Sequence, residues 1–518
     1  MPFHCIWMLV VLMILWYPLV WGASTQMVGG AEKQQEQDLD SLFEQKKGEI
    51  APAQQEEEPL RERNEIESDF EPKQGEAMPV QEKSSPAVEQ ERDLAPAPKD
   101  IEQERLTDTD FEKPFGEEEK SPFSYSGKIW NKLAHDLRKD NSFEDQYYNH
   151  LEVQFGTKYA LSQTIQFVLA LRANYFAFGN GEDLHHDGDV RLYNAYVNLA
   201  FSDINLRVGN QIVTWGKADE VSPLDNINPE DLRDGFTRRR GERKLPIPMV
   251  NLELSRDVYK LQALYIPFFE CSKIDISGSD WALFDHIDQL VGRFDVTEDK
   301  PAKRLKNGEV GLRFAGKVRA LDYAFSYLYT WQDLPSPAAI TFQSTLPFTA
   351  QARLAHPRQH IFGGELETVV ESFGLRGDVA YVDKRGFLAK NLQTVTKPVF
   401  EYVVGIDYNG PNNFYTNFQF SQSLIQDYDK SILFFDELTT GINGQVSKEF
   451  FNNNLKLVLR YFYIINNNSF YLNPYIVWQY WQNVYIELGV DYIDGPRDTT
   501  LGFFRDNTQG YAIVRLSF

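Results

Sequence analysis

From Phe123 to Phe518 the chain repeats one pattern. Short segments alternate apolar or aromatic side chains with polar or small ones, and Asn, Asp, Gly and Pro separate them. Asp189 to Ala200, Asn205 to Val213, Tyr323 to Tyr329, Leu455 to Tyr463 and Val484 to Tyr492 show it clearly. A period of two places successive side chains on opposite faces of a strand. Segments of about ten residues with one apolar face have the length that crosses a bilayer at a tilt. A soluble all-β protein shares the alternation but carries charge on its outward face. Here Tyr323 to Tyr329 and Tyr461-Phe462-Tyr463 put aromatics near strand ends, which suits the headgroup region. Backbone groups in lipid must all be paired, so the sheet has to close. The expectation is an all-β fold, a transmembrane antiparallel β-barrel of about 16–18 strands.

The connections support the same reading. Phe201 to Asp203, Arg256-Asp257, Lys317-Val318, Gly410 to Asn413 and Gln482-Asn483 read as tight turns, whereas 175–188, 214–245, 267–306, 331–357, 384–397 and 495–507 read as long loops. Short and long alternate, as periplasmic turns alternate with extracellular loops, and an even strand number places both termini in the periplasm. One connection holds the only helix-like stretch, 281–291. The last segment, Gly510 to Phe518, ends on an aromatic and resembles the terminal strand by which the barrel-assembly machinery recognises its clients. The expected surroundings are therefore the cell outer membrane and its lipid.

Residues 3–20 are an apolar run followed by Gly22-Ala23-Ser24, which reads as a signal peptide over 1–23, with an uncleaved anchor as the alternative. Between residues 31 and 120 there are 12 Lys and Arg against 28 Asp and Glu, so most of the net charge of −23 sits there. Few large apolar residues accompany that charge, so 24–122 reads as a disordered acidic periplasmic segment and 123–518 as the barrel. The pattern Phe-Glu-x-x-x-Gly-Glu recurs at Phe43, Phe70 and Phe111. These aromatics are candidate docking points for a periplasmic or exporter component; local duplication of a biased composition is the other reading. An acidic chain of this kind is a poor partner for nucleic acid. Cys5 and Cys271 are the only cysteines, which excludes a disulfide framework.

Within the barrel segment one stretch departs from the pattern. A strand carrying Arg207, Gly209 and Gln211 on one face runs into Trp215, and then into a polar segment that Pro223 and Pro229 bar from regular structure. It reads as an inward excursion, 216–245, lying in the lumen. Arg207, Gln211, Trp215, Asp219, Asp225, Asp231, Arg233, Arg238, Arg239, Arg240, Arg243 and Lys244 are its candidate lumen or constriction residues. The basic run Arg238 to Lys244 either sets a potential for anions or pins the excursion to carboxylates, with Asp219, Asp225, Glu230, Asp231 and Asp234 as the near partners. Nucleotide-binding, zinc-protease and serine-hydrolase motifs are absent from the sequence. No enzyme, cofactor or metal is expected; His185-His186-Asp187-Gly188-Asp189, the one dense ligand-like group, is placed in a surface loop.

The stretch resembles a largely uncharacterised family of proteobacterial outer-membrane barrels. Arg207, Gly209, Gln211, Trp215 and Gly216 carry the resemblance, followed by Asn228, Pro229, Asp231, Leu232 and Arg233, and by a basic run into Pro246-Ile-Pro248-Met249. The resemblance is specific over 190–270 and general elsewhere, and the long acidic segment departs from the family's shorter spacing. It implies a porin-like barrel, often associated with RND-type exporters or with handling of hydrophobic compounds. The expected function is a channel or conduit for an unidentified, poorly soluble solute; the alternative is a structural or partner-binding barrel that conducts nothing.

Overall fold

The computed structural model describes residues 121–138, 147–179, 184–276, 279–282, 293–343 and 349–518, all within the unit Pro96–Phe518. The signal peptide, most of the acidic segment, Phe43, Phe70 and Phe111 lie outside the described residues, as does most of the helix expected over 281–291.

Every period-two segment becomes a strand. In chain order they are β1 (Phe123–Asp136), β2 (Tyr147–Ala160), β3 (Ile165–Gly179), β4 (Leu184–Phe201), β5 (Ile204–Gln211), β6 (Ile247–Arg256) and β7 (Tyr259–Ile266). Then come β8 (Arg293–Asp299), β9 (Glu309–Val318), β10 (Leu321–Trp331), β11 (Ser336–Gln343), β12 (Thr349–Ala355), β13 (Arg358–Val370) and β14 (Phe373–Leu388). The last seven are β15 (Thr394–Gly410), β16 (Phe414–Ile425), β17 (Leu438–Phe450), β18 (Leu455–Ile464), β19 (Ser469–Trp481), β20 (Val484–Asp494) and β21 (Gln509–Ser517).

Eighteen of these form one antiparallel sheet in which each strand pairs with the next wall strand, and β21 pairs back onto β1. At that seam Lys128 stands opposite Ser517 and Asp136 opposite Gln509. Gly127 N–H donates to the Phe518 carbonyl at 2.8 Å, and the Phe518 ring fills the space that a side chain at Gly127 would need. The wall therefore has no free edge, as a membrane requires. β8, β11 and β12 form a separate three-stranded sheet, with β12 and β8 parallel. It is built from the connections between β7 and β9 and between β10 and β13.

The two faces of the wall differ in the way lipid and lumen demand. Along β3, Phe167, Leu169 and Leu171 are 42, 50 and 44% exposed, whereas Val168, Ala170, Arg172 and Asn174 between them are buried. On β2, Val153 and Phe155 point out and His150, Glu152 and Gln154 point in. Each large outward side chain covered by lipid contributes roughly 1.5–3 kcal/mol, so the exterior holds the barrel in a bilayer and excludes a water-soluble state. Aromatic pairs ring the end where the short turns lie: Tyr159 with Phe167, Tyr259 with Phe314 and Phe373 with Tyr408, the last at 4.8 Å. The chain is thus a transmembrane barrel of the outer-membrane type.

Two expected loops shorten. β3 and β4 stay paired to Gly179 and Leu184, which leaves only 180–183 where 175–188 was expected. Phe178 stacks on His185, and the Tyr175 hydroxyl meets His186 Nδ1 at 2.7 Å. Cross-strand aromatic pairs keep the hairpin zipped beyond the bilayer. The His185–Asp189 group therefore belongs to a strand and not to a surface loop. Likewise, 384–397 contracts to the connection between Leu388 and Thr394.

Candidate functional site

The segment between β5 and β6 folds into the barrel. Its two ends are adjacent, since Gln211 stands opposite Ile247 in the ladder. Asn228 ties them together: its Oδ1 accepts from Val213 N–H at 2.8 Å, and its Nδ2 donates to the Gln211 and Leu245 carbonyls at 3.1 and 2.9 Å. One amide thus satisfies three backbone groups of a buried segment that has no ladder of its own. Prolines and polar turn residues explain the irregular path; the only helix is a single turn, α1 (Arg240–Arg243).

At the entry, Gln211, Trp215 and the wall form one hydrogen-bonded row. Trp215 Nε1 donates to Gln262 at 2.8 Å, Gln262 to Asn251 at 3.1 Å, and Asn251 to Gln211 at 3.4 Å. The indole lies against Gly311, where a Cβ would come within 2.8 Å of it. Gly209 has φ +135°, and a side chain there would overlap the Ala195 carbonyl. Its backbone is one that only glycine adopts without strain. Gly209→Val is therefore expected to abolish most of the folded, heat-modifiable band on a gel; an unchanged band would contradict this reading. Arg207 lies over the Tyr196 ring of β4, 5.9 Å from its centre.

Beyond Trp215 the excursion is bonded to the wall on several sides. On β14, Asp378 accepts from Lys217 N–H at 2.8 Å, Ala218 N–H at 2.9 Å and Ser222 Oγ at 2.7 Å. Lys217 Nζ meets Glu367 of β13 at 2.6 Å. Asp219 is held by Arg376 of β14 at 2.9 Å and Asn417 of β16 at 2.8 Å, and Glu220 by Arg460 of β18 at 3.0 Å. Arg239 donates to the Tyr475 hydroxyl of β19. Glu242 pairs with Arg515 of β21 at 3.4 Å. On β2, Glu152 accepts from Arg238 at 3.0 Å, and His150 Nδ1 meets Asp234 at 2.7 Å. Arg233 bridges Asp231 at 2.7 Å to Asp187 and Asp189 of β4, at 3.0 and 3.3 Å.

Within the excursion, Arg240 meets Asp225 at 2.7 Å, Arg243 meets Glu230 at 3.1 Å, and Lys244 meets both carboxylates at 3.2 Å. The basic run therefore lies against carboxylates, near and far. Of the near partners expected from sequence, Asp225, Glu230 and Asp231 pair inside the excursion, Asp234 meets both Arg238 at 3.7 Å and His150 of the wall, and Asp219 turns to the wall. Glu152, Asp378, Arg376 and Arg460 were not singled out by sequence; each is one inward polar residue in an alternating strand. Above the excursion, Gly235 (φ +62°) makes room for Trp281, which packs edge-on to Phe236 at 5.6 Å.

Burial by itself would raise the Glu230 carboxyl, but Arg243, Lys244 and Arg240 outweigh it and hold it at about 2. Glu242 is held at about 2 in the same way, against burial, chiefly by Arg515 and Lys128. A depressed carboxyl contributes stability that is present above its unfolded value of about 4.3 and lost as pH falls toward the folded one. Thermal stability in detergent should thus stay level from pH 8 to about 5 and decline below about 4; a decline already between pH 8 and 6 would contradict this assignment.

One sector of the lumen is lined differently. The inward residues of β16 and β17 form a neutral row in which Gln419 faces Asn443 and Ser421 faces Gly441, next to Asn417, whose amide is taken by Asp219 and Asp407. Both amide atoms of Gln419 and of Asn443 are buried and have no protein partner.

A family model described as "Protein of unknown function (DUF1302)" matches residues 123–517. No match is found among curated proteins. Among solved structures, the chain is similar to Acinetobacter baumannii OccAB4, at 10% identity over 77% of this chain and 98% of that one, with a TM-score of 0.45. Pseudomonas aeruginosa OccK5 (OpdH) matches at 12% identity over 76% and 97%, with a TM-score of 0.42. Salmonella typhi OmpF, solved with daunomycin, matches at 10% over 76% and 97%, with a TM-score of 0.39. The match over residues 123–517, which takes in the whole wall and the excursion inside it, makes this chain a member of the DUF1302 family.

Proposed function

We propose that the protein is an outer-membrane conduit that the excursion closes at rest, and that solute passes along the neutral row of β16 and β17. The supporting observation is the pair Gln419 and Asn443. A buried amide without a partner costs about 1–3 kcal/mol for each group left unsatisfied, and a packed structural core has no reason to retain two of them. Water or solute moving along the row satisfies them. Amides, Ser and Gly present neither a fixed charge nor a greasy wall, which suits a neutral solute. The family resemblance supports one of low solubility.

Residues Arg207, Gln211 and Trp215 set the excursion's entry. The charged residues from Asp219 to Lys244 act as fasteners in this reading and leave anion selection a minor role. An even number of strands brings both ends of the wall to the turn side. We place that side in the periplasm, where Phe43, Phe70 and Phe111 would meet a periplasmic or exporter component. The density of ion pairs across the lumen favours one other reading, a permanently sealed barrel that serves as a structural or docking element. Conductance of the reconstituted full chain, compared with a chain lacking residues 220–244, separates the two.

A further inference from the structure

The loop end of the barrel carries a constellation separate from the excursion. Cys271 follows β7, Glu298 lies on β8, and His356 lies between β12 and β13; one ligand-type atom from each falls within 4.8 Å of the others. We propose that Cys271, Glu298 and His356 form a binding site for a divalent transition metal of the zinc class.

The argument starts from the histidine, whose side chain is fully buried. Its Nδ1 is 2.7 Å from the Gln332 carbonyl oxygen. A carbonyl only accepts, so Nδ1 carries the hydrogen. Nε2 stands 2.8 Å from Glu298 Oε1, which is also an acceptor when ionised. At that separation a shared proton bridges the two atoms, and a metal ion can take the proton's place once they part to roughly 3.3 Å. A backbone carbonyl holding the far ring nitrogen is the arrangement that orients metal-bound histidines. The Phe269 ring, 4.8 Å away and edge-on, fixes the plane of the imidazole.

The donor set then selects the metal. One thiolate, one imidazole and one carboxylate suit zinc and its neighbours, whereas calcium and magnesium take oxygen ligands. Ligand atoms in a tetrahedral zinc site stand roughly 3.3–3.8 Å apart, so the widest separation has to close by about 1 Å. A cation already sits at the edge: the Lys300 ammonium lies 2.9 Å from Glu298 Oε2, on a side chain half exposed to solvent and able to swing away. Three protein ligands leave a fourth position for water or an arriving ligand. The site joins the connection after β7 to the one after β10, so metal would fasten the loops over the mouth of the barrel.

Cobalt(II) is the probe, added to the folded, detergent-solubilised full chain. One equivalent should produce a thiolate-to-cobalt absorption band that zinc abolishes by competition. Cys271→Ser should lose the band, while His356→Gln and Glu298→Gln should each weaken cobalt binding by about tenfold or more, all with unaltered heat-modifiable migration. No band in the unmodified protein, a band that survives Cys271→Ser, or equal affinity in all four proteins would overturn the proposal.

Discussion

Removing residues 220–244, and joining the ends with a short Gly-Ser link, is expected to turn a barrel of low conductance into one of large, steady conductance in planar bilayers. The wall does not depend on the excursion for closure. β5 and β6 pair from Ile204 opposite Leu254 to Gln211 opposite Ile247, and the remaining wall pairs elsewhere. Barrels of 16–18 strands enclose an aqueous channel unless something fills it. Here the filling is chain held by ion pairs to β2, β4, β13, β14, β18 and β21. Its excision takes Arg238 from Glu152 and Glu220 from Arg460, but in a flooded lumen the wall charges left behind are hydrated, and solvated charges cost little. The variant should therefore fold. Single-channel recording gives the answer. Conductance in the deletion alone identifies the excursion as the closure, whereas silence in both proteins would end the conduit reading and leave the sealed barrel.

Glu152→Gln is expected to produce the largest loss of stability of any single substitution in the lumen, about 3–5 kcal/mol. Glu152 is fully buried and faces Arg238 at 3.0 Å, Arg172 at 3.7 Å and Lys128 at 3.8 Å. The glutamine keeps the shape and removes the only carboxylate common to the three. Arg238 then keeps only Asp234, at 3.7 Å, and Arg172 and Lys128 lose this carboxylate; under-compensated buried cations are costly, and the cost falls on the docking of the excursion. Thermal unfolding in detergent should show it, and Arg238→Met in the same chain should recover part of the loss, because one of the stranded charges goes with it. If the double variant is as unstable as the sum of the singles, Glu152 and Arg238 are not coupled in the way their geometry indicates.

The wall was legible because lipid imposes a rule on every strand: alternate residues must be apolar, and segments such as Leu455 to Tyr463 obey it. The excursion was legible from the reverse signal, two prolines and dense charge where alternation stops. Its partners were not. Arg238 meets Glu152 across 86 residues of sequence and Arg460 meets Thr237 across 223, and a lone inward Glu or Arg in a strand looks the same whether it lines water or grips a plug. Loop boundaries failed where aromatic and histidine pairs, such as Phe178 with His185, extend a hairpin through residues that locally read as a turn. The parallel pairing of β12 with β8 joins two distant connections, so neither segment alone announces it, and the Cys271, Glu298 and His356 grouping was hidden for the same reason.

The seam between β1 and β21 fixes the order in which this molecule is made. The ladder from Lys128 opposite Ser517 to Asp136 opposite Gln509 joins the earliest strand of the wall to the last, so no stretch of nascent chain short of β21 can seal itself. Until then it presents two raw margins, each ready to pair with any neighbouring polypeptide. Closure of the wall is accordingly the last step, however the strands before it are laid down.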